Sequence, residues 1–348
     1  LISNSLDSSK EVANRSFLLD EGSVLTESML FKDDPEHKNI REFFSRFFKR
    51  IPVSRYSGIS KDLSQDWFSL ICCQGRLTDF ELMSGFCRKL PISIMMILLG
   101  IPEEAKGQIS LLVQIISHGT DYISALESQM SSKNSAFDSI LSILEEGLAG
   151  YWKSSDPRSP VSELQQLILN NQISLGTASS NIALLLFAGQ ETTAALLGSM
   201  IFSLASNPFQ LDMLRKNREL VDSAIEEVLR FQAPLQRATF RTVTNSICVD
   251  NFTLNEGEEL ILMIGAANRD PEIFDNPNIF SISRSPNPHL SFGKGAYHCI
   301  GRQLAMVEAK SVCSFLLDRF KSWSVRKAVW GQSSLVRSLD TLYIDFTE

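Results

Sequence analysis

The stretch His289-Leu290-Ser291-Phe292-Gly293-Lys294-Gly295-Ala296-Tyr297-His298-Cys299-Ile300-Gly301 decides how this chain is read. Three glycines surround one cysteine, and glycine is used where the backbone must turn tightly or lie close to a partner. Residues 302–320 then read as a helix, with Leu304, Ala305, Val307, Val312, Leu316 and Leu317 at helical spacing. At the mouth of a helix, the dipole and the unpaired N–H groups favour the thiolate form of a cysteine. The stretch is suited to holding a sulfur anion.

A lone cysteine is more often a small buried hydrophobe than a ligand, so the spacing has to carry the argument. Phe292, Gly293, Gly295, Cys299 and Gly301, followed by Leu304-Ala305, resemble the haem-binding loop of the cytochrome P450 family. The resemblance implies that Cys299 is the axial thiolate on the iron of haem b (iron protoporphyrin IX), where thiolate donation favours O–O cleavage. It also implies that Phe292, Gly293, Tyr297 and Gly301 lie against that cofactor.

Composition agrees with a large soluble domain. The 348 residues are 44% apolar and 21% charged, enough for a sizeable core, and the net charge of −7 gives no basic character suited to nucleic acid. Cys72, Cys73, Cys87, Cys248, Cys299 and Cys313 have neither metal-finger spacing nor the density of a disulfide framework, which indicates a reducing, cytoplasmic setting. The polar opening from Leu1 to about residue 15 has no apolar signal region or membrane anchor. We read residues 1–348 as one mainly α domain with a small β portion, helix-rich over 33–235 and β-rich over about 237–265 and 340–348.

Asp33-Asp34-Pro35-Glu36 makes a good helix start, and His37 and Arg41, four apart, share one face of that helix. Taken alone, the pair is a solvated basic face. The segment also resembles the C-helix of soluble bacterial cytochromes P450, and the resemblance implies that both side chains reach the haem propionates. Two buried carboxylates need such donors. It likewise places Arg241 on a propionate, and Leu185, Ala188, Ala238, Thr239 and Phe240 around the substrate.

Residues 181–206 form the longest apolar run. Its length would suit a membrane span, but Gln190 and Glu191 sit in the middle, and a central acid alone costs roughly 2.5–3.5 kcal/mol there. A helix buried in the protein core is the better reading. Gly189, Thr192 and Thr193 weaken that helix at its centre, and threonine hydroxyls can bond back one turn. Ala188, Gly189, Glu191 and Thr192 match the family's long I-helix. By that resemblance Thr192 bonds dioxygen or its water, Glu191 feeds protons, and Gly189 leaves room beside the haem.

Glu227 and Arg230, three apart, form a pair too common on helices to carry information alone. Their order before Arg284 matches the family and implies a structural triad of Glu227, Arg230 and Arg284 that holds the cysteine loop. Strands are expected at 246–249, 252–254, 259–263 and 341–346, separated by turn signals.

Two features depart from the family pattern. Tyr297 stands where a propionate-binding His or Arg is usual, and it can donate a hydrogen bond but no charge; the neighbouring His298 should point away from the iron. His37 and Arg41 also come early in the chain, so the usual N-terminal helix and first strands of the small sheet are expected to be short or missing. The reading that follows is a monomeric haem-thiolate monooxygenase oxidising a small secondary-metabolite or lipid-like substrate with O2. No flavin or nicotinamide fingerprint is present, so electrons would come from a ferredoxin-type donor, with Lys294 and Arg302 available to dock it. The alternatives are a peroxygenase, an atypical P450 reaction such as dehydration, coupling or nitration, and a non-catalytic haem carrier. An intact Glu191-Thr192 pair argues for dioxygen over peroxide.

Overall fold

The helices follow the punctuation of the sequence. The computed structural model describes residues 12–14, 27–73, 80–117, 127–153, 156–237, 241–249 and 251–347. Helix α1 (Glu36–Arg50) carries Glu36 in its first turn and Lys49 and Arg50 in its last, the arrangement its dipole favours. After α2 (Val53–Cys73), a π-turn at Met83–Cys87 leads into α3 (Lys89–Leu99). That helix stops where Gly100 takes φ 80°, a left-handed conformation open to glycine. Helices α4 (Glu103–Ser117) and α5 (Glu127–Glu146) follow. In α6 (Pro160–Leu169) proline occupies the first turn, and the Ser159 hydroxyl accepts the Ser162 N–H at 3.3 Å.

Helix α7 (Leu175–Ser206) is capped by Ser174, whose hydroxyl accepts the Thr177 N–H at 3.0 Å. Its most apolar window would suit a membrane, yet 78% of that window is buried within the protein. Helices α3, α5, α9 (Val221–Gln232) and α11 (Arg302–Arg319) pack around it; α8 (Pro208–Lys216) lies between α7 and α9 in the chain, and α10 is the short turn Ile264–Ala267. An aromatic cluster locks α2 and α11 to the C-terminal sheet. Phe68 meets Phe86 at 4.8 Å, Phe315 at 5.1 Å and Phe346 at 6.1 Å between ring centroids.

The β portion is larger than the sequence suggested. Strand β1 (Val12–Asn14) pairs with β2 (Arg241–Val243), so the small sheet does have a strand from the N-terminal stretch. β3 (Ile247–Val249) and β4 (Phe252–Leu254) form the expected hairpin. β5 covers only Glu259–Leu260, because α10 begins at Ile264 and leaves Ile261 and Met263 exposed. An unforeseen strand, β6 (Ser322–Trp330), pairs antiparallel with β7 (Leu339–Thr347). Register shifts between Val325 and Lys327 and between Val329 and Trp330 break its alternation, which hides it from a period-two reading.

Candidate functional site

The cysteine loop is held by its own backbone. Gly293 and Gly295 take φ 67° and 76°, where an L side chain would cost roughly 1–2 kcal/mol. The Gly293 N–H reaches Leu290 O at 2.8 Å, and the Cys299 N–H reaches Phe292 O at 2.8 Å, closing the loop just before α11. The N–H groups of Gly301 and Arg302 reach the Cys299 sulfur. Cys299 is accessible at the floor of a pocket of about 650 Å³. Enough protein still surrounds the sulfur that desolvation pushes the free thiol above its ordinary range. The two N–H groups and the charges of Arg41 and Arg302 pull the other way and favour the anion. Among the described residues no three His, Cys, Asp or Glu side chains come together to hold a metal.

Three separate segments meet beside this loop. His37, 3% exposed, stacks its ring on Tyr297 with centroids 4.2 Å apart, and the Arg241 guanidinium lies 5.2 Å from the same ring's centroid. Arg41 donates to the carbonyl of His298, next to the ligand candidate. His37, Arg41, Arg241 and Tyr297 thus lie together beside the loop. The Tyr297 hydroxyl is engaged elsewhere: it donates to Lys32 O at 3.0 Å and lies 3.2 Å from Asp33 Oδ1. Its part here is an aromatic platform between the His37 ring and the Arg241 guanidinium. Burial lowers the pKa of His37, with Arg41 acting in the same direction and Asp34, 3.2 Å away, opposing.

The centre of α7 opens on a hollow. Ala188 is exposed and Gly189 and Thr192 are half-buried in a helix whose neighbouring positions Leu185, Gln190 and Glu191 are buried. Thr192 Oγ1 donates to Ala188 O at 2.7 Å, the back-bond its position suggested. A Cβ on Gly189 would stand 2.8 Å from Met95 Cε, the flexible end of that side chain. Gly189→Ala should therefore be accommodated by a rotation of Met95. Gly189→Val should cost about 1–3 kcal/mol in thermal unfolding; equal melting of the two variants would contradict this packing. Ala238, Thr239 and Phe240 lie outside the described residues.

Behind the loop the triad comes together, with Glu227 and Arg230 fully buried and Arg284 half-buried. Arg230 bonds Glu227 through two contacts of 2.8 and 2.9 Å, and Arg284 Nε lies 3.2 and 3.1 Å from the Glu227 oxygens. Arg230 and Arg284 also donate to the carbonyls of Asn268, Pro277, Ile279, Asp275 and Asn276, fixing the turns that precede the loop. Sequence reasoning missed Asn268. Fully buried, it accepts the Leu290 N–H at 2.8 Å and donates to Ser291 Oγ at 2.9 Å; Ser291 in turn donates to Leu229 O at 2.6 Å. Nothing in the local sequence distinguishes it from a turn asparagine.

One sulfur beside Arg41 and Arg302, at the mouth of a helix, is an arrangement that suits a thiolate ligand. The chain belongs to the cytochrome P450 family, whose model matches residues 111–329. The biotin biosynthesis cytochrome P450 of Bacillus subtilis (strain 168) is 30% identical over 333 residues, covering 94% of this chain and 82% of the relative. The polyketide biosynthesis cytochrome P450 PksS of the same organism is 26% identical over 330 residues, covering 93% and 79%. Among solved structures, P450BioI in complex with acyl carrier protein ligated with hexadec-9Z-enoic acid matches with a TM-score of 0.88 at 28% identity, over 99% of this chain and 90% of that one. The protein is accordingly a P450 monooxygenase, an oxidoreductase of a family that carries haem. Its residues fit that group: a single sulfur donor, two arginines and a histidine beside the loop, and a buried helix open at Ala188.

Proposed function

We propose that this protein binds haem b through Cys299 and oxidises a small lipid-like or secondary-metabolite substrate, drawing electrons from an external ferredoxin-type donor in the cytoplasm. The observation that carries the reading is Cys299 itself, an exposed cysteine at the mouth of a helix whose sulfur is favoured as an anion by the Gly301 and Arg302 N–H groups and by the charges of Arg41 and Arg302. When bound, haem supplies dioxygen activation and one-electron chemistry. Arg41 and Arg241 supply cationic donors for its carboxylates and His37 a ring N–H, and Gly301 and Arg302 steady the sulfur anion. The Thr192 hydroxyl hydrogen is committed to Ala188 O, which leaves its lone pairs free to accept a hydrogen bond from the hollow. Glu191, 7% exposed in the same turn, is the acid we assign to proton delivery. This acid–alcohol pair favours dioxygen over peroxide as the oxidant.

The substrate class is supported by the names of the relatives: biotin biosynthesis, polyketide biosynthesis and a fatty-acyl carrier complex. The electron donor is supported by the pocket beside Cys299, whose lining includes Arg41, Lys49 and Arg302 and no acidic residue. Lys49→Glu should slow reduction by an acidic ferredoxin at low salt and converge with wild type at high salt, measured by stopped flow; a salt-independent loss would remove this docking face. The function is tested with reductant, ferredoxin and ¹⁸O2 on free and carrier-bound fatty acids. Incorporation of one labelled oxygen per product supports the proposal. Turnover with peroxide alone, and none with ferredoxin, would replace it with a peroxygenase.

A further inference from the structure

Glu226 stands next to the triad's Glu227 and serves a different set of partners. Its Oε2 lies 2.6 Å from His289 Nε2, and its Oε1 lies 3.0 Å from Arg302 Nη2. His289 opens the cysteine loop and Arg302 follows it, so one carboxylate joins the two ends of the stretch that carries Cys299. The Ser291 N–H points at His289 Nδ1 at 3.2 Å, so that nitrogen accepts, and the ring proton sits on Nε2, facing Glu226. The His289 side chain is 5% exposed and that of Glu226 25%, so these charge-assisted bonds are partly shielded from water. Burial alone would raise the Glu226 carboxyl; His289 and Arg302 outweigh it and hold the group below its usual range, ionised. Arg302 meanwhile lays its guanidinium 5.5 Å from the centroid of Phe292, and its charge favours an anion at the Cys299 sulfur.

We propose that Glu226 is the positioning residue of the cysteine loop, clasping both ends of it and, by pairing Arg302, setting how much positive charge the sulfur feels. The electrostatic half rests on the haem reading above; the mechanical half does not. The two effects separate in variants. Glu226→Gln releases the clasp and leaves Arg302 unneutralised, so the field at the sulfur becomes more positive. Arg302→Gln releases one end and removes that charge. Both loosen the loop, but they move a sulfur-ligated redox centre in opposite directions, because a positive charge stabilises the more electron-rich state. A merely structural contact would not reverse sign.

Asp222 provides the control. It pairs with Lys310 at 2.8 Å and bridges the same two helices, α9 and α11, without touching the loop. The experiment compares wild type, Glu226→Gln, Arg302→Gln and Asp222→Asn. It reads amide hydrogen exchange over residues 289–302 and, in haem-loaded protein, the midpoint potential. Glu226→Gln and Arg302→Gln should each speed loop exchange by about tenfold, the scale of one lost charge-assisted bond, and Asp222→Asn should leave it unchanged. Glu226→Gln should raise the potential and Arg302→Gln should lower it. Should Glu226→Gln fail to fold, His289→Gln frees the first end alone and should speed exchange at 290–293 while the residues beside Arg302 stay protected. Unchanged loop exchange, equal loosening by Asp222→Asn, or potentials moving in the same direction would overturn the proposal. If wild type takes up no haem, the haem reading fails, and the exchange comparison still decides the clasp.

Discussion

Arg230→Met unfolds in urea with about 3–5 kcal/mol less stability than wild type, the cost of breaking a buried ion pair from one side. Arg230 and Glu227 are both 0% exposed, so neither charge can fall back on water. Methionine fills much of the volume but leaves the carbonyls of Asn268, Pro277 and Ile279 without their donor. Glu227 keeps Arg284, the Ser281 N–H at 2.9 Å and Asn287 at 3.3 Å, so its charge is not wholly stranded and the loss stays within that range. The turns these carbonyls define lead directly to His289, so the variant should also take up less haem. A loss below about 1 kcal/mol would show that the network is not what holds the loop.

Glu308→Gln should have a comparably large effect of opposite sign, growing as pH rises above the ordinary glutamate pKa. Glu308 lies in α11, 2% exposed, and its Oε2 has no hydrogen-bond partner among the described residues. Desolvation pushes its carboxyl up to about 8. In the unfolded chain it ionises near the ordinary glutamate value. Between those two values the folded protein holds a proton that the unfolded chain has released. Stability is therefore full below the unfolded pKa and falls as pH rises towards 8. The contribution amounts to about 5 kcal/mol over the whole window. Glutamine has nothing to ionise, so Glu308→Gln should unfold within about 1 kcal/mol of wild type near the ordinary glutamate pKa and be several kcal/mol more stable at pH above 8. Denaturant unfolding at the two pH values decides it. The same difference at both would mean that Glu308 is ionised and paired in the folded state.

Glu308, Asn268 and Glu226 also mark the limit of what the sequence discloses. The cysteine loop could be read directly, because its glycines are required by backbone conformation: Gly293 and Gly295 do take positive φ, and Cys299 does receive the helix-mouth N–H groups. The long helix could be read from its apolar run despite the polar turn at 189–193, and that weak centre did mark where Ala188 is exposed. Glu227, Arg230 and Arg284 were found only through their order along the chain, since the pair by itself resembles any surface helix. Asn268 and Glu226 were missed for that same reason. What makes them structural is a partner more than twenty residues away, Leu290 and Ser291 for one and His289 and Arg302 for the other. Tyr297 shows a subtler gap. Its residue type suggested a weakened donor to the cofactor, whereas its hydroxyl turns to Lys32 and Asp33 and its ring serves as the platform. The strand Ser322–Trp330 was hidden by its bulges, and the N-terminal strand by a polar stretch with no period of its own.

The account depends on the sulfur of Cys299 as the ligand of haem iron. The most direct measurement is the visible spectrum of the reduced protein under carbon monoxide, recorded beside a Cys299→Ala variant. A strongly red-shifted Soret band in wild type that disappears in the variant is the predicted result. A band of the histidine-ligated kind in intact wild type, or the same red-shifted band surviving in Cys299→Ala, would contradict it.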